Sequence, residues 1–447
     1  MKKYFTATAF AALMVIPLMG CRDFLSEKSD SRLSIPDQLE DNQAIVDRYF
    51  LLGQYPNSAE ISADDIWVSD ADFNTFPNES EKRLYTWKPD YVSLAVSSDW
   101  QTTYSKINIY NNVLFNLEHY QIPQAENVRG QALVLRAAAY LEAAQIWCLA
   151  YNPATAAKDL GLPIRLDPDM NIPSFRSSVE QTYRQILSDL LTAAELLPND
   201  QIAVSRPSKR TALGLLARTY LFMGEYQKAA QYASAALAIK NELLNFNALN
   251  PGSTNPFLPI HTEIIFPLSR VNSPFLAATK AKIPQSIYDS YENNDLRKQM
   301  YFRLDASQNV LFKGNFSGGT ARSASLATDE LYLTAAEGHA ASGNYTEAMV
   351  FLNALLINRW KTGTFIPFTA TDAQSALQII RKERRKEMLF RGVRWADLKR
   401  YNREGAGITI SRIVNGTTFV LPPNDLRYAV ALPEDIIQMT GMPQNPR

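Results

Sequence analysis

The amino-acid sequence predicts an all-α fold: paired helices form the scaffold, with long irregular insertions and only minor short β pieces. Three observations carry this. Several segments place apolar residues at helical spacing, as in Gln131 to Cys148, where Leu133, Ala137, Tyr140, Leu141 and Ala144 share a face. A glycine-punctuated helix pair recurs at an offset of 119 residues. Strand signals are confined to pieces such as Gly407 to Ile413 and Thr417 to Leu421. Composition agrees with a folded body, with 46% hydrophobic and 20% charged residues. The 45 basic and 45 acidic residues cancel, which argues against a dedicated nucleic-acid binder.

The chain begins with an address. Lys2 and Lys3 precede an uncharged, mostly apolar run from Tyr4 to Met19, too short for a comfortable membrane span. It ends in Leu18-Met19-Gly20-Cys21, which resembles the lipobox of bacterial lipoproteins. That resemblance implies a signal peptide over 1–20, acylation of the Cys21 thiol, and a mature chain of 21–447 forming one domain. The rival reading is an ordinary secretory signal. Cys148 is expected to be a buried helix residue. With two cysteines and three dispersed histidines (His119, His261, His339), no disulfide framework, metal site or cofactor is expected.

Next come the helix pairs. Ser178 to Leu197 opens on serines able to cap it and stops at Pro198. Ser208 to Met223 and Glu225 to Lys240 flank Gly224; Asp329 to Ser342 and Asn344 to Trp360 flank Gly343. The copies match at Gly224/Gly343, Tyr226/Tyr345, Ala229/Ala348, Ala235/Ala354 and Leu237/Leu356. Glycine permits the turn between helices, and the alanines permit close approach. This pattern resembles the tetratricopeptide repeat. Pairs are therefore expected over about 129–240 and 327–400, with Thr371 to Phe390 closing the series. Irregular segments over about 63–89 and 245–325 are left to carry function.

Across this framework the chain resembles the SusD/RagB family of outer-membrane nutrient-binding lipoproteins. The start Cys21-Arg22-Asp23-Phe24-Leu25 is similar to the family's, as are Trp100, Tyr104, Ile107 and Asn111, and then Asp159 to Arg165. Arg206-Pro207-Ser208-Lys209, Glu330-Leu331-Tyr332-Leu333 and the tail Pro433 to Pro446 follow in order. The most specific block is Glu383-Arg384-Arg385-Lys386-Glu387, Phe390, Gly392, Arg394-Trp395 and Asp397 to Arg400. Arg391 departs from it, standing where the family often has glutamate, which points to a rewired ion pair. The resemblance implies a non-catalytic lipoprotein on the outer surface of the outer membrane. Such a protein binds an oligosaccharide or polysaccharide and delivers it to a SusC-like TonB-dependent transporter. Rivals are a peptide-binding relative, an envelope adaptor without a small ligand, and an anchored hydrolase.

Sugar rings present apolar C–H faces on which flat aromatic rings stack. Trp67, Phe73 and Phe76, in a polar stretch off any helical face, are the candidate ligand residues, with Phe275 and Phe316 behind them. Trp87, Trp100, Trp147, Trp360 and Trp395 read as core. Asp64-Asp65, Asp70-x-Asp72-x-Asn74 and Glu81 resemble calcium-loop positions, but Thr75 replaces the turn glycine, so capping aspartates are the better reading. Arg381 to Arg400 holds nine basic and three acidic residues. Interleaved apolar residues and spacings such as Glu383/Lys386 and Glu387/Arg391 favour an ion-pair network over a nucleic-acid stripe.

Overall fold

The computed structural model describes residues 35–48, 54–90, 93–94, 98–316, 318–319 and 321–447; the leader, Cys21 and the start through Leu25 lie outside them. Among the described residues, ten helices run nine residues or longer: α1 (Leu39–Asp47), α2 (Asp99–His119), α3 (Glu126–Trp147), α4 (Val179–Leu196), α5 (Lys209–Met223), α6 (Tyr226–Ile239), α7 (Thr328–Ala341), α8 (Tyr345–Leu356), α9 (Ala373–Glu387) and α10 (Arg394–Arg403). Strands occur there only as two-stranded pairs. The fold is mainly helical and tetratricopeptide-like.

Local chemistry sets the helix ends. Ser178 with Gln181, Ser208 with Thr211, and Asp372 with Ser375 form capping boxes that open α4, α5 and α9. Gly224 and Gly343 take φ of +84° and +90° between the paired helices, a left-handed conformation that costs other residues energy. From α2 to α7 each helix packs on the next, and α8 and α9 both pack on α7. Gly338 shows why small residues recur there: a Cβ would lie 2.6 Å from the Tyr226 carbonyl of α6. The hairpin Ile410–Val414/Thr417–Leu421 turns at Asn415-Gly416, both at positive φ.

The basic run is an internal ion-pair lattice. Arg400 donates both Nη groups to Glu337 of α7 at 2.7 Å, and Arg384 reaches Asp397 at 2.9 Å. Lys386 pairs with Glu383 at 3.0 Å, as its spacing predicts. The predicted Glu387/Arg391 pair is corrected. Glu387 instead accepts from Arg297 and Arg359, at 3.1 and 2.7 Å, while Arg391 bridges to buried Asp329 at 2.9 Å. Arg391 sits beyond the end of α9, so the helical i,i+4 geometry does not extend to it.

Two further expectations change. Residues 63–89 contain helices Asp70–Thr75 and Glu79–Tyr85, capped by Ser69 and Asn78. Trp360 is half-buried beside Phe365 and Phe368, whereas Trp87, Trp100, Trp147 and Trp395 are buried. Cys148 is buried, and that burial pushes its thiol up to about 11. Among the described residues, no helix is long and apolar enough to cross a membrane.

Candidate functional site

The segment Val271–Pro274 separates two clefts, and the chain brings distant residues to each. The first, of about 590 Å³, is lined by Asn57, Ser58, Asn78, Glu81, Ser98, Asp99, Trp100, Trp147 and Asn272. Its size falls in the range of small-molecule sites. Asp99, in the first turn of α2, turns one carboxylate oxygen onto Asn57 N, Ser58 N and Ser58 Oγ at 3.0, 2.8 and 2.6 Å. It thereby fixes the start of helix Ser58–Ser62 against α2. Glu81 accepts from Ser273 Oγ at 2.9 Å. Burial pushes its carboxyl upward, the Ser273 bond opposes this, and the Asp99 charge adds to the rise. Asn57 donates to the Val271 carbonyl, while its buried Oδ1 has no hydrogen-bond partner. Trp100 and Trp147 meet edge to face at 5.0 Å behind these groups.

Most of the predicted aromatics lie elsewhere. Phe76 and Phe275 stack at 3.8 Å in the core, and Phe73 is half-buried against Phe275 at 6.2 Å. Phe316 is buried against His261 at 4.4 Å, under the Arg391 guanidinium at 4.1 Å. The exposure expected of Phe76, Phe275 and Phe316 is therefore corrected: each gains more by covering apolar neighbours than by facing water. Phe275 keeps a positioning part, because it pins the 3₁₀ turn Pro274–Leu276 that follows the segment dividing the clefts. Trp67 alone of the five is well exposed, at 38%. Its Nε1 donates to the Ile283 carbonyl at 3.3 Å, and Lys282 Nζ lies 5.3 Å from its ring. It does not line either of the two clefts.

The calcium-like acids disperse. Asp64 pairs with Arg394 at 2.7 Å, Asp70 accepts from Asn415 N at 2.8 Å, and Asp72 takes Ser69 Oγ at 2.6 Å and Lys282 at 2.8 Å. Asn74 bonds Asn415 at 3.1 Å. Among the described residues, no cluster of three or more His, Cys, Asp or Glu is placed to hold a metal. Asp99 escaped sequence reasoning, whereas Trp100 and Trp147 are buried as expected and form the floor of the cleft. A signal existed: Ser98-Asp99 puts a carboxylate in the first turn of a capped helix, where backbone donors gather.

The second cleft, of about 650 Å³, lies across Val271–Pro274 and is lined by Asn255, Arg303, Phe312, Lys313, Asn315 and Arg322 among others.

Comparison with known proteins follows the same outline. A family described as "Starch-binding associating with outer membrane" matches residues 23–221, and the SusD family matches residues 327–435. A SusD superfamily protein of Bacteroides thetaiotaomicron is 22% identical, with a TM-score of 0.74 over 92% of this chain and 100% of that one. A putative sugar binding protein of Bacteroides vulgatus is 21% identical, with a TM-score of 0.73 over 93% and 99%. A SusD-like carbohydrate binding protein of that species is 20% identical, with a TM-score of 0.67 over 90% and 97%. These structures establish a shared fold. SusD-like protein P2 of Formosa agariphila is 40% identical over 77 residues, which span 17% of this chain and 15% of that protein.

Proposed function

Because the chain belongs to the SusD family, we propose that it is a surface lipoprotein that binds a glycan and passes it, unreacted, to a SusC-like TonB-dependent transporter. The anchor in this reading is Cys21, acylated in the outer membrane. The observation that carries the glycan reading is the cleft of Trp100, Trp147, Glu81, Asp99, Asn57 and Asn272. Carboxylates and amides suit paired sugar hydroxyls, here above an apolar floor made by the buried Trp100 and Trp147. Asp99 is held by three donors at a helix start, a fixed acceptor rather than a mobile acid. Trp67, the exposed indole, supplies a stacking platform outside the cleft.

Calorimetry with neutral oligosaccharides of increasing length, and with oligopeptides, tests this. Saturable sugar binding is expected, weakened about tenfold by Glu81→Gln or Asn272→Ala. Trp67→Ala should weaken only the longer oligosaccharides. Binding by peptides alone would assign the peptide reading, and silence across the panel together with capture of the transporter would assign the adaptor. Release of shorter sugars on incubation would overturn the non-catalytic reading.

A further inference from the structure

The cleft on the far side of Val271–Pro274 carries a charge pattern unlike its neighbour. Arg303, Lys313 and Arg322 line it, and no Asp or Glu does. Pairing of strands Phe302–Leu304 and Val310–Phe312 sets Arg303 opposite Leu311, and Lys313 N continues the ladder to the Tyr301 carbonyl at 2.7 Å. Arg303 and Lys313 are thus diagonal neighbours on one face of a hairpin. Burial lowers the Lys313 ammonium, and the Arg303 charge lowers it further. Its protons reach the Pro251 and Ser253 carbonyls, neutral acceptors that leave the charge uncompensated.

Arg322 is almost fully buried, at 5% exposure, between Phe312 at 5.2 Å and Phe390 at 4.2 Å. Its Nη2 donates to the Leu276 carbonyl at 2.7 Å, while its buried Nε has no partner. The one carboxyl opposing its charge, Glu60, is itself pushed up to about 7 by burial. None of the three cations forms an ion pair within hydrogen-bonding reach among the described residues. Arg322 is buried without a counter-ion, which is costly. Arg303 is exposed and Lys313 half-buried beside it, so the cleft pairs a desolvated cation with two solvent-facing ones that an anion entering it would meet. Asn255, Asn272 and Asn315 surround the cations with hydroxyl-recognising amides, and Asn272 also lines the first cleft.

We infer that this second cleft is a subsite for the acidic group of a charged oligosaccharide, a carboxylate or sulfate received by Arg303, Lys313 and Arg322, while neighbouring neutral sugars occupy the Trp100–Trp147 cleft. The inference rests on the glycan reading above and narrows its substrate class. The full chain is titrated by calorimetry with tetragalacturonate, with its neutral methyl ester, and with a sulfated tetrasaccharide. One or both acidic forms should bind at least about tenfold tighter than the ester, a preference lost by about half its logarithm when salt rises from 0.05 to 0.5 M.

The double variant Arg303→Gln/Lys313→Gln, on solvent-accessible positions, should abolish the preference and leave the ester's affinity unchanged; Lys313→Arg should retain it. Galacturonate and sulfate arms distinguish the two anions. Equal affinity for acid and ester, or a preference that survives the double variant, overturns the inference and leaves the glycan reading standing. Absence of binding by all three sugars counts against both. A peptide that binds through a free C-terminal carboxylate, and not as its amide, in place of any sugar, overturns the saccharide assignment.

Discussion

Glu337 offers the sharpest test of how the last helices are held to the repeat body. It is fully buried in α7 and accepts Arg400 Nη1 and Nη2 and Arg381 Nε, each at 2.7 Å. Burial alone would push its carboxyl up. The Arg400 charge and hydrogen bonds, then Arg381, overcome that and hold it at about 2 instead of 4.5. At about 1.36 kcal/mol per pH unit, that depression corresponds to about 3 kcal/mol of stability at pH 7. Removing one partner of a buried pair costs about 3–5 kcal/mol, in agreement. Glu337→Gln keeps the shape and removes the charge, so its stability deficit at pH 7 should be about 3 kcal/mol. With a urea slope of about 3 kcal/mol per M, the midpoint followed by tryptophan fluorescence falls about 1 M. The sign with pH is fixed. A depressed carboxyl stabilises fully above its unfolded value of 4.5 and loses that contribution as pH falls toward 2. The gap between wild type and variant should therefore narrow across that window. A gap below about 1 kcal/mol at pH 7, or one unchanged at pH 3, would refute the reasoning.

Two other outcomes are expected. Gly343→Ala adds only left-handed strain, about 1 kcal/mol, because its Cβ meets nothing within 4 Å; Gly224→Ala should cost more, because its Cβ would lie 2.5 Å from Arg403 Nη2. Arg403 serves the Tyr151, Phe222 and Met223 carbonyls, so thermal unfolding of the two variants should separate clearly, and equal midpoints would contradict the packing account. Cys21→Ala should move the protein from the membrane fraction to the soluble one, and tight retention would contradict acylation there.

How much of this was legible beforehand depended on the range of the interaction. The repeated pairs could be read because their causes are local: a glycine that tolerates positive φ at 224 and 343, serines that cap at 178 and 208, and apolar residues spaced for one face. The basic block could be read as structural because its apolar neighbours mark burial. Its partners could not all be read. Glu387 bonds Arg297 and Arg359, and Arg391 bonds Asp329, across separations no spacing rule covers.

The aromatics show the same division. Phe76, Phe275 and Phe316 stand in irregular segments where no periodicity tells the inner face from the outer. Phe76 and Phe275 turn inward because 271–276 docks against helices Asp70–Thr75 and Glu79–Tyr85, and Phe316 because it packs on Phe257 and His261 beneath Arg391. The clefts lie further still from sequence reach, for the first gathers residues from 57, 81, 99, 147 and 272. The sequence by itself determined the helical hairpins, their caps and turns, and the family, since those follow from contacts within a few residues. The tertiary structure decided which polar and charged groups share a cavity, because burial and electrostatic fields arise only when remote segments meet.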